Sequence, residues 1–362
     1  MSLSTASMEA SFSSADHPAS PHAFFDAVRG CCLRAQDAAG GPLTRSFNIG
    51  GHRIELSFAG SALEPLLTPA LNHLEIPAGS PPALRICLFD SASTGIDPPP
   101  PPWSADDYIA RGEVQGYGDD RFQTGYNVGT GVLSLLDSQR NLAIYWVRDA
   151  RQIPYWETGA PLRTLLHWWM RGHGRQLAHA AAVGTAAGAA LIAGRGGAGK
   201  STTALLCLAS GMRYLGDDYV LLDGTSEPTV YSLYSSAKLD PEQMRRFPDL
   251  LPAVANARRF DTEKALAFLH GRFSRQLARS LPVRALVLPR ISGRANTRIA
   301  AVSPAAALIA LAPSTIFQLA DAGTNEFHAL SDFVRKVPCF ALELGTDLPQ
   351  IAAVVRDVLE EG

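Results

Sequence analysis

Several things are scarce in this chain of 362 residues, and each scarcity excludes a class of protein. No apolar run reaches the roughly eighteen residues of a membrane span. The longest candidate, AHAAAVGTAAGAALIAG, is mostly Ala and Gly and reads as strands. Charge of one sign is also missing. A net charge of −2 argues against a nucleic-acid or acidic-membrane partner recognised mainly by charge. The five cysteines (31, 32, 87, 207 and 339) form no C-x-x-C pair and have no metal-ligand spacing with histidine. They read as thiols in a reducing compartment, not as a disulfide framework. His167 and His173 lack an acidic or Cys partner at ligand spacing, so they are not expected to hold a metal. The opening MSLSTASMEASFSSADHPAS has no basic stretch followed by an apolar core, so no secretory signal is read there and a cytoplasmic location is expected.

What is present is an ordinary globular balance, 46% hydrophobic and 18% charged, with length enough for two domains. Residues 1–20 read as a disordered Ser/Ala-rich tail. Residues 21–155 read as a mixed α/β domain. It holds a helix from His22, a hairpin over 47–60 turning at Gly50–Gly51, a proline-interrupted helix from Ser61 and a strand near 82–90. A second hairpin spans 131–147. The run Pro98–Pro102 reads as a stiff surface loop, with a docking segment for a proline-binding partner as the alternative. No catalytic constellation is legible in this part. A helix over 161–174, carrying Trp168 and Trp169 as core aromatics, leads into residues 156–362, where short apolar strands alternate with helices. There QLAHAAAVG reads as one strand, as does MRYLGDDYVLLDG. SPAAALIALAP reads as a helix capped by Ser303.

The chain is organised around LIAGRGGAGKSTT, residues 191–203. An apolar strand end stops at Gly194; Gly199, Lys200 and Ser201 complete a G-x-x-x-x-G-K-[ST] spacing; a helical run follows. Gly194, Gly196, Gly197 and Gly199 allow backbone conformations that bring bare N–H groups to a phosphate. The helix start adds its positive end. Lys200 is expected to reach the β- and γ-phosphates, and the Ser201 hydroxyl to take a place on Mg²⁺. Arg195, Ala198 and Thr202 complete the expected nucleotide-binding set, with ATP and Mg²⁺ as the ligands. Further on, Asp217 and Asp218 lie in an apolar context where unpaired carboxylates are costly, so they call for a cation or a role. One is expected to hold Mg²⁺ and the other to accept a proton from an attacking hydroxyl; which does which stays open.

The order of His179, then GRGGAGKST with its lysine twenty-one residues on, then LGDD with its first acid seventeen residues after that lysine, resembles the C-terminal catalytic domain of HPr kinase/phosphorylase. Relatives of that family include serine kinases found beside peptide-tailoring enzymes, and its fold is related to phosphoenolpyruvate carboxykinase. The resemblance covers about residues 175–225; beyond 280 only LAPSTIFQL looks similar. It implies an α/β fold with a P-loop-containing catalytic domain over 156–362 beside the smaller N-terminal mixed α/β domain. It also implies a catalytic set of Lys200, Asp217, Asp218 and His179, with Ser201, Asp217 and Asp218 toward the metal. The implied activity is transfer of the γ-phosphoryl group of ATP to a hydroxyl, serine of a protein or peptide. A small-molecule kinase such as a sugar kinase, or a non-catalytic ATP-binding regulator, are the alternatives, and a homo-oligomer is compatible with each. Lys238, Arg290 and Arg294, placed in loops after strands, are further candidates for positive charge at the transferred group. The glycine-rich signature loop of the true HPr enzymes is absent after the acidic pair. HPr as acceptor and the reverse phosphorolysis are therefore not carried over.

Overall fold

The computed structural model describes residues 20–109, 111–259 and 262–361. The tail expected over residues 1–20 lies outside them except for Ser20, whose hydroxyl accepts from the Ala23 N–H and caps the first helix. That helix, α1 (Pro21–Ala38), starts on a proline and buries Phe24, Phe25, Val28, Cys31, Cys32 and Ala35 along one face. The Gly50–Gly51 turn joins β1 (Pro42–Ile49) to β2 (His52–Ala59). Both glycines have positive φ, 59° and 88°, as a two-residue hairpin turn requires. Prolines reduce the segment after Ser61 to α2 (Glu64–Leu67) and a 3₁₀ turn at Asn72–Leu74. The strand β3 (Leu84–Asp90) runs into α3 (Ser91–Thr94), which Asp90 caps. Pro98–Pro102 belongs to no helix or strand. The second hairpin is β5 (Val132–Asp137) with β6 (Leu142–Val147). Before it lies β4 (Phe122–Asn127), which its sequence FQTGYN, with a central Gly and no apolar alternation, does not announce.

These strands form one sheet in the order β1-β2-β3-β6-β5-β4, parallel at β2/β3 and β3/β6 and antiparallel elsewhere. α1 covers one face. The other face joins a core containing α5 residues Leu165, Leu166, Trp168 and Trp169 together with Leu177, Tyr219 and Leu221. Here α4 is Tyr155–Gly159 and α5 is Arg163–Arg171. Both tryptophans are core aromatics, 4% and 2% exposed.

A second, nine-stranded sheet follows among the described residues. In chain order its parts are β7 (Gln176–Ala178), β8 (Ala181–Gly184), β9 (Ala189–Ile192), α6 (Lys200–Ala209), β10 (Arg213–Gly216), β11 (Val220–Asp223) and β12 (Thr229–Ser232). The strand β13 (Ser236–Leu239) then leaves it. After α7 (Pro241–Met244) it pairs with β14 (Ala265–Phe268) as a separate two-stranded ribbon. After α8 (His270–Phe273) come β15 (Ser280–Ile291), β16 (Arg298–Ala301), α9 (Pro304–Ile316), α10 (Thr324–Arg335), β17 (Cys339–Leu344) and α11 (Leu348–Glu360). The Ser303 hydroxyl caps α9 as the sequence predicts, accepting from the Ala306 N–H. Ala190 and Ile192 face a core built with α6 and α11. Ala189, Leu191 and Ala193 face one built with α9 and α10. Covered on both sides, β9 reads as a continuous apolar run.

Two sequence expectations need correction here. QLAHAAAVG is not one strand but β7 and β8, broken at His179–Ala180; MRYLGDDYVLLDG is not one strand but β10 and β11, broken at Asp217–Tyr219. The two breaks face each other. β7 pairs with β11 (Ala178 with Val220) and β8 with β10 (Ala182 with Gly216), so the same antiparallel register resumes on both sides of the gap. The long β15 runs alongside both portions, pairing with β12 at Ser280–Pro282 and with β9 from Val283 to Val287. The sheet thus changes course at one level. Polar residues sit there because the ladder that would otherwise claim their backbone is interrupted.

No helix among the described residues is long and apolar enough to cross a membrane.

Candidate functional site

The strand β9 ends beside the double break: Ala181 pairs with Ile192, and two residues later the chain reaches Gly194. The loop Gly194–Gly199 then turns directly into α6, with Gly199 as its N-cap. Gly199 has φ +106°, and a Cβ built there would run into the end of the Leu344 side chain. That backbone conformation favours glycine, and any other residue there would be strained. Lys200, the first helical residue, is 7% exposed. Its ammonium donates to the Gly194 carbonyl at 2.7 Å and to Arg195 O at 3.4 Å, so it curls back across the mouth of its own loop. Burial lowers its pKa, while Asp217 and Asp218 act to raise it.

The two carboxylates live in different surroundings. Asp217 is 4% exposed and its Oδ1 has no hydrogen-bond partner. Burial pushes its pKa up to about 6; the Ser201 hydroxyl works against that rise and the charge of Asp218 adds to it. Asp218 keeps a quarter of its side chain exposed. Its Oδ2 accepts from the Lys238 ammonium at 2.7 Å and its Oδ1 lies 3.2 Å from His179 Nε2. Burial alone would raise its pKa, but Lys238 and His179 together hold it well below the ordinary carboxylate range. The two adjacent acids thus differ in burial and in partners. The cause is the break in the strand, which gives each acid separate partners.

Among the expected site residues, Lys200, Ser201, Asp217, Asp218 and His179 come together. Lys238 joins them, from β13 and not from a loop; its ammonium also reaches Trp156 O at 3.4 Å. Arg290 and Arg294 do not join the acidic pair. Arg290 lies within β15 and not in a loop after it, and both guanidinium groups are bound by Glu343, at 2.5 and 3.3 Å. Sequence reading missed the groups behind His179. Its backbone N–H donates to Thr315 Oγ1 at 3.0 Å, and its Nδ1 lies 3.2 Å from Ser314 O and 3.1 Å from Gln318 Nε2. No spacing signal identifies these residues, since they lie more than a hundred positions away at the end of α9.

His173 stacks on Trp169 with ring centroids 3.7 Å apart, and its Nδ1 lies 2.8 Å from Trp169 O. Among the described residues no three His, Cys, Asp or Glu side chains are grouped as a ready metal cage. Mg²⁺ is characteristically held by one or two carboxylates completed by substrate phosphates and water. The unpartnered Asp217 Oδ1 beside Ser201 fits that donor set. A cleft of about 1140 Å³ lies elsewhere, between the first sheet, α5 and α10, and none of residues 194–201, 217 or 218 lines it.

No family model matches the chain, and no curated protein matches it. Among solved structures, the HPr(Ser) kinase/phosphatase from Coxiella burnetii aligns over 52% of this chain and 99% of its own, at 12% identity and a TM-score of 0.30. At that level the likeness does not bear on what the chain binds or does. The fold is mixed α/β with several sheets.

Proposed function

We propose that this chain is an ATP- and Mg²⁺-dependent kinase that transfers the γ-phosphoryl group to a hydroxyl, serine of a protein or peptide. One observation carries the reading. A glycine loop opening a helix, a buried carboxylate with a free oxygen beside the first-turn hydroxyl, and a second, strongly anionic carboxylate meet at one point. On this reading residues 194–201 form a phosphate-binding loop. Lys200 exchanges the Gly194 carbonyl for phosphate oxygens, and the α6 N-terminus faces the same charge.

Ser201 and Asp217 would hold Mg²⁺, because the Asp217 carboxyl is the one with an unused buried oxygen next to that hydroxyl. When bound, the ion neutralises charge on the β- and γ-phosphate oxygens. Asp218 is the base. The acceptor oxygen bonds to the γ-phosphorus, the bond to the β-phosphate oxygen breaks, ADP leaves, and the acceptor's proton passes to Asp218. A carboxylate held ionised by Lys238 and His179 suits a phosphoryl transfer in which the proton moves late and positioning dominates. Lys238 lies within reach of the same carboxylate and adds positive charge beside the acceptor.

Transfer of label from γ-labelled ATP to serine-containing peptides, with and without Mg²⁺, tests the reading. ATP binding with no transfer to any hydroxyl acceptor would leave a nucleotide-binding regulator instead.

A further inference from the structure

His179 is itself held, through a chain of hydrogen bonds whose direction can be deduced. It begins at Arg163, whose guanidinium only donates. Arg163 Nη1 reaches the Tyr219 hydroxyl oxygen at 3.0 Å, and the guanidinium carbon lies 5.1 Å from that ring's centroid. The Tyr219 oxygen therefore accepts from Arg163, and its own proton must go elsewhere. The acceptor in place is Gln318 Oε1, at 2.6 Å. That bond fixes which way round the Gln318 amide sits, with its oxygen toward Tyr219 and its NH₂ toward His179 Nδ1 at 3.1 Å. In the neutral ring Nδ1 then accepts, and the one ring proton lies on Nε2, facing Asp218 Oδ1 at 3.2 Å.

The competing arrangement is a proton on Nδ1 donated to Ser314 O, 3.2 Å away. A neutral ring so protonated would aim the Nε2 lone pair at a carboxylate that only accepts. It would also leave the Gln318 NH₂ facing an N–H.

We infer that Arg163, Tyr219 and Gln318 form a one-way hydrogen-bond relay that fixes His179 as the Nε2–H tautomer, so that it donates to Asp218. They are positioning residues: none reaches Asp218 itself, and each acts through the next. The relay deepens the kinase reading and rests on it only in calling Asp218 the base; the location of the ring proton is independent of any activity. The relay also gives Tyr219 a use beyond the core. Its ring belongs to the apolar cluster between the two sheets while its hydroxyl turns toward α9. The tautomer of His179 therefore depends on the seating of α5, which carries Arg163, and on the end of α9, next to Gln318.

The test is long-range ¹H–¹⁵N correlation of the histidine rings in the ¹⁵N-labelled full chain without ligand at neutral pH, with His179 assigned from the spectrum of His179→Gln. The expected result is a protonated Nε2 and an unprotonated Nδ1. A ring protonated on Nδ1, alone or together with Nε2, would overturn the proposal. In Gln318→Leu, and to a lesser extent in Tyr219→Phe, the ring is expected to become a mixture of tautomers. An unchanged Nε2–H signature in both variants would show the relay to be irrelevant.

Kinetically, Gln318→Leu is expected to lower kcat about 10- to 100-fold with KM for ATP nearly unchanged; an unchanged kcat would count against the relay. If the wild-type chain transfers no phosphoryl group while the Nε2–H signature and its loss in Gln318→Leu are seen, the kinase reading fails and the relay stands.

Discussion

Asp137, in the first sheet, and Asp217, in the second, are both buried aspartates at strand ends, yet they are treated in opposite ways. Asp137 is fully buried and has its oxygens answered. Arg121 donates to both at 2.9 and 2.7 Å, and the backbone N–H groups of Gln139 and Arg140 donate at 3.1 Å. Burial alone would raise its pKa, but these donors hold it below the ordinary value. Asp217 is almost as buried, keeps one oxygen without a partner, and is pushed up to about 6. In the first sheet Asp137 completes its bonding within the chain. The second stops its ladder between β10 and β11 and leaves Asp217 Oδ1 without a hydrogen-bond partner. Asp217 is the one buried acid among the described residues with a buried oxygen left unpartnered, and such a group calls for an explanation.

The largest effect expected to separate the two regions is on turnover. Asp218→Asn or Lys200→Ala is expected to lower phosphoryl transfer by about a thousandfold or more. Asp137→Asn should leave the rate per folded molecule unchanged, as measured with γ-labelled ATP under saturating substrate. For Asp218→Asn, nucleotide affinity measured by titration calorimetry should stay close to wild type.

Stability should diverge next. Asp217→Asn removes a group whose folded pKa is raised, so between its unfolded value near 4 and about 6 the native state binds more protons than the unfolded one, and stability falls as pH rises through that window. At pH 7 the ligand-free variant should therefore be more stable than wild type by roughly 3 kcal/mol, with the gain vanishing below about pH 4. Denaturant titrations at pH 4 and pH 7 would measure it, and an equal effect at both would contradict the buried, unpaired reading.

Asp137→Asn should act in the other direction and cost about 2–3 kcal/mol at pH 7. Its contribution is present above the unfolded pKa and is lost as pH falls through the depressed folded value, so the variant and wild type should converge in acid. A smaller contrast lies in the glycines. Gly51 and Gly199 both have positive φ, but a Cβ at Gly51 meets open space while one at Gly199 strikes Leu344. Gly51→Ala should cost about 1 kcal/mol of stability. Gly199→Ala should cost about 1–2 kcal/mol more and weaken nucleotide binding, checked by thermal unfolding with and without ATP.

Much of this was legible in advance, and the exceptions have physical causes. The Gly50–Gly51 hairpin, α1 and the Ser303 cap follow from local rules that tertiary contacts did not override. LIAGRGGAGKSTT gave its strand, loop and helix because glycines, a lysine and a following apolar run act within a dozen residues. β4 and β13 were not legible, because their short sequences carry no clear alternation and form strands only by finding partners. The breaks in the two strands are not legible, since the apolar residues on either side of His179 and of Asp217–Asp218 read as parts of one run. Gln318 and Arg163 were invisible as site residues because a glutamine after a helix and an arginine at the start of one have no signature of their own.

The sequence by itself determined the loop, the helix it opens and the presence of two adjacent acids, all of which depend on neighbours a few bonds apart. Only the tertiary structure decided that the acids differ, one lacking a partner and the other bound by Lys238 and His179. It also decided that His179 is tied through Gln318 and Tyr219 to Arg163. Protonation and hydrogen-bond direction depend on burial and on donors brought from distant parts of the chain, and those distances are set by the packing of whole sheets and helices.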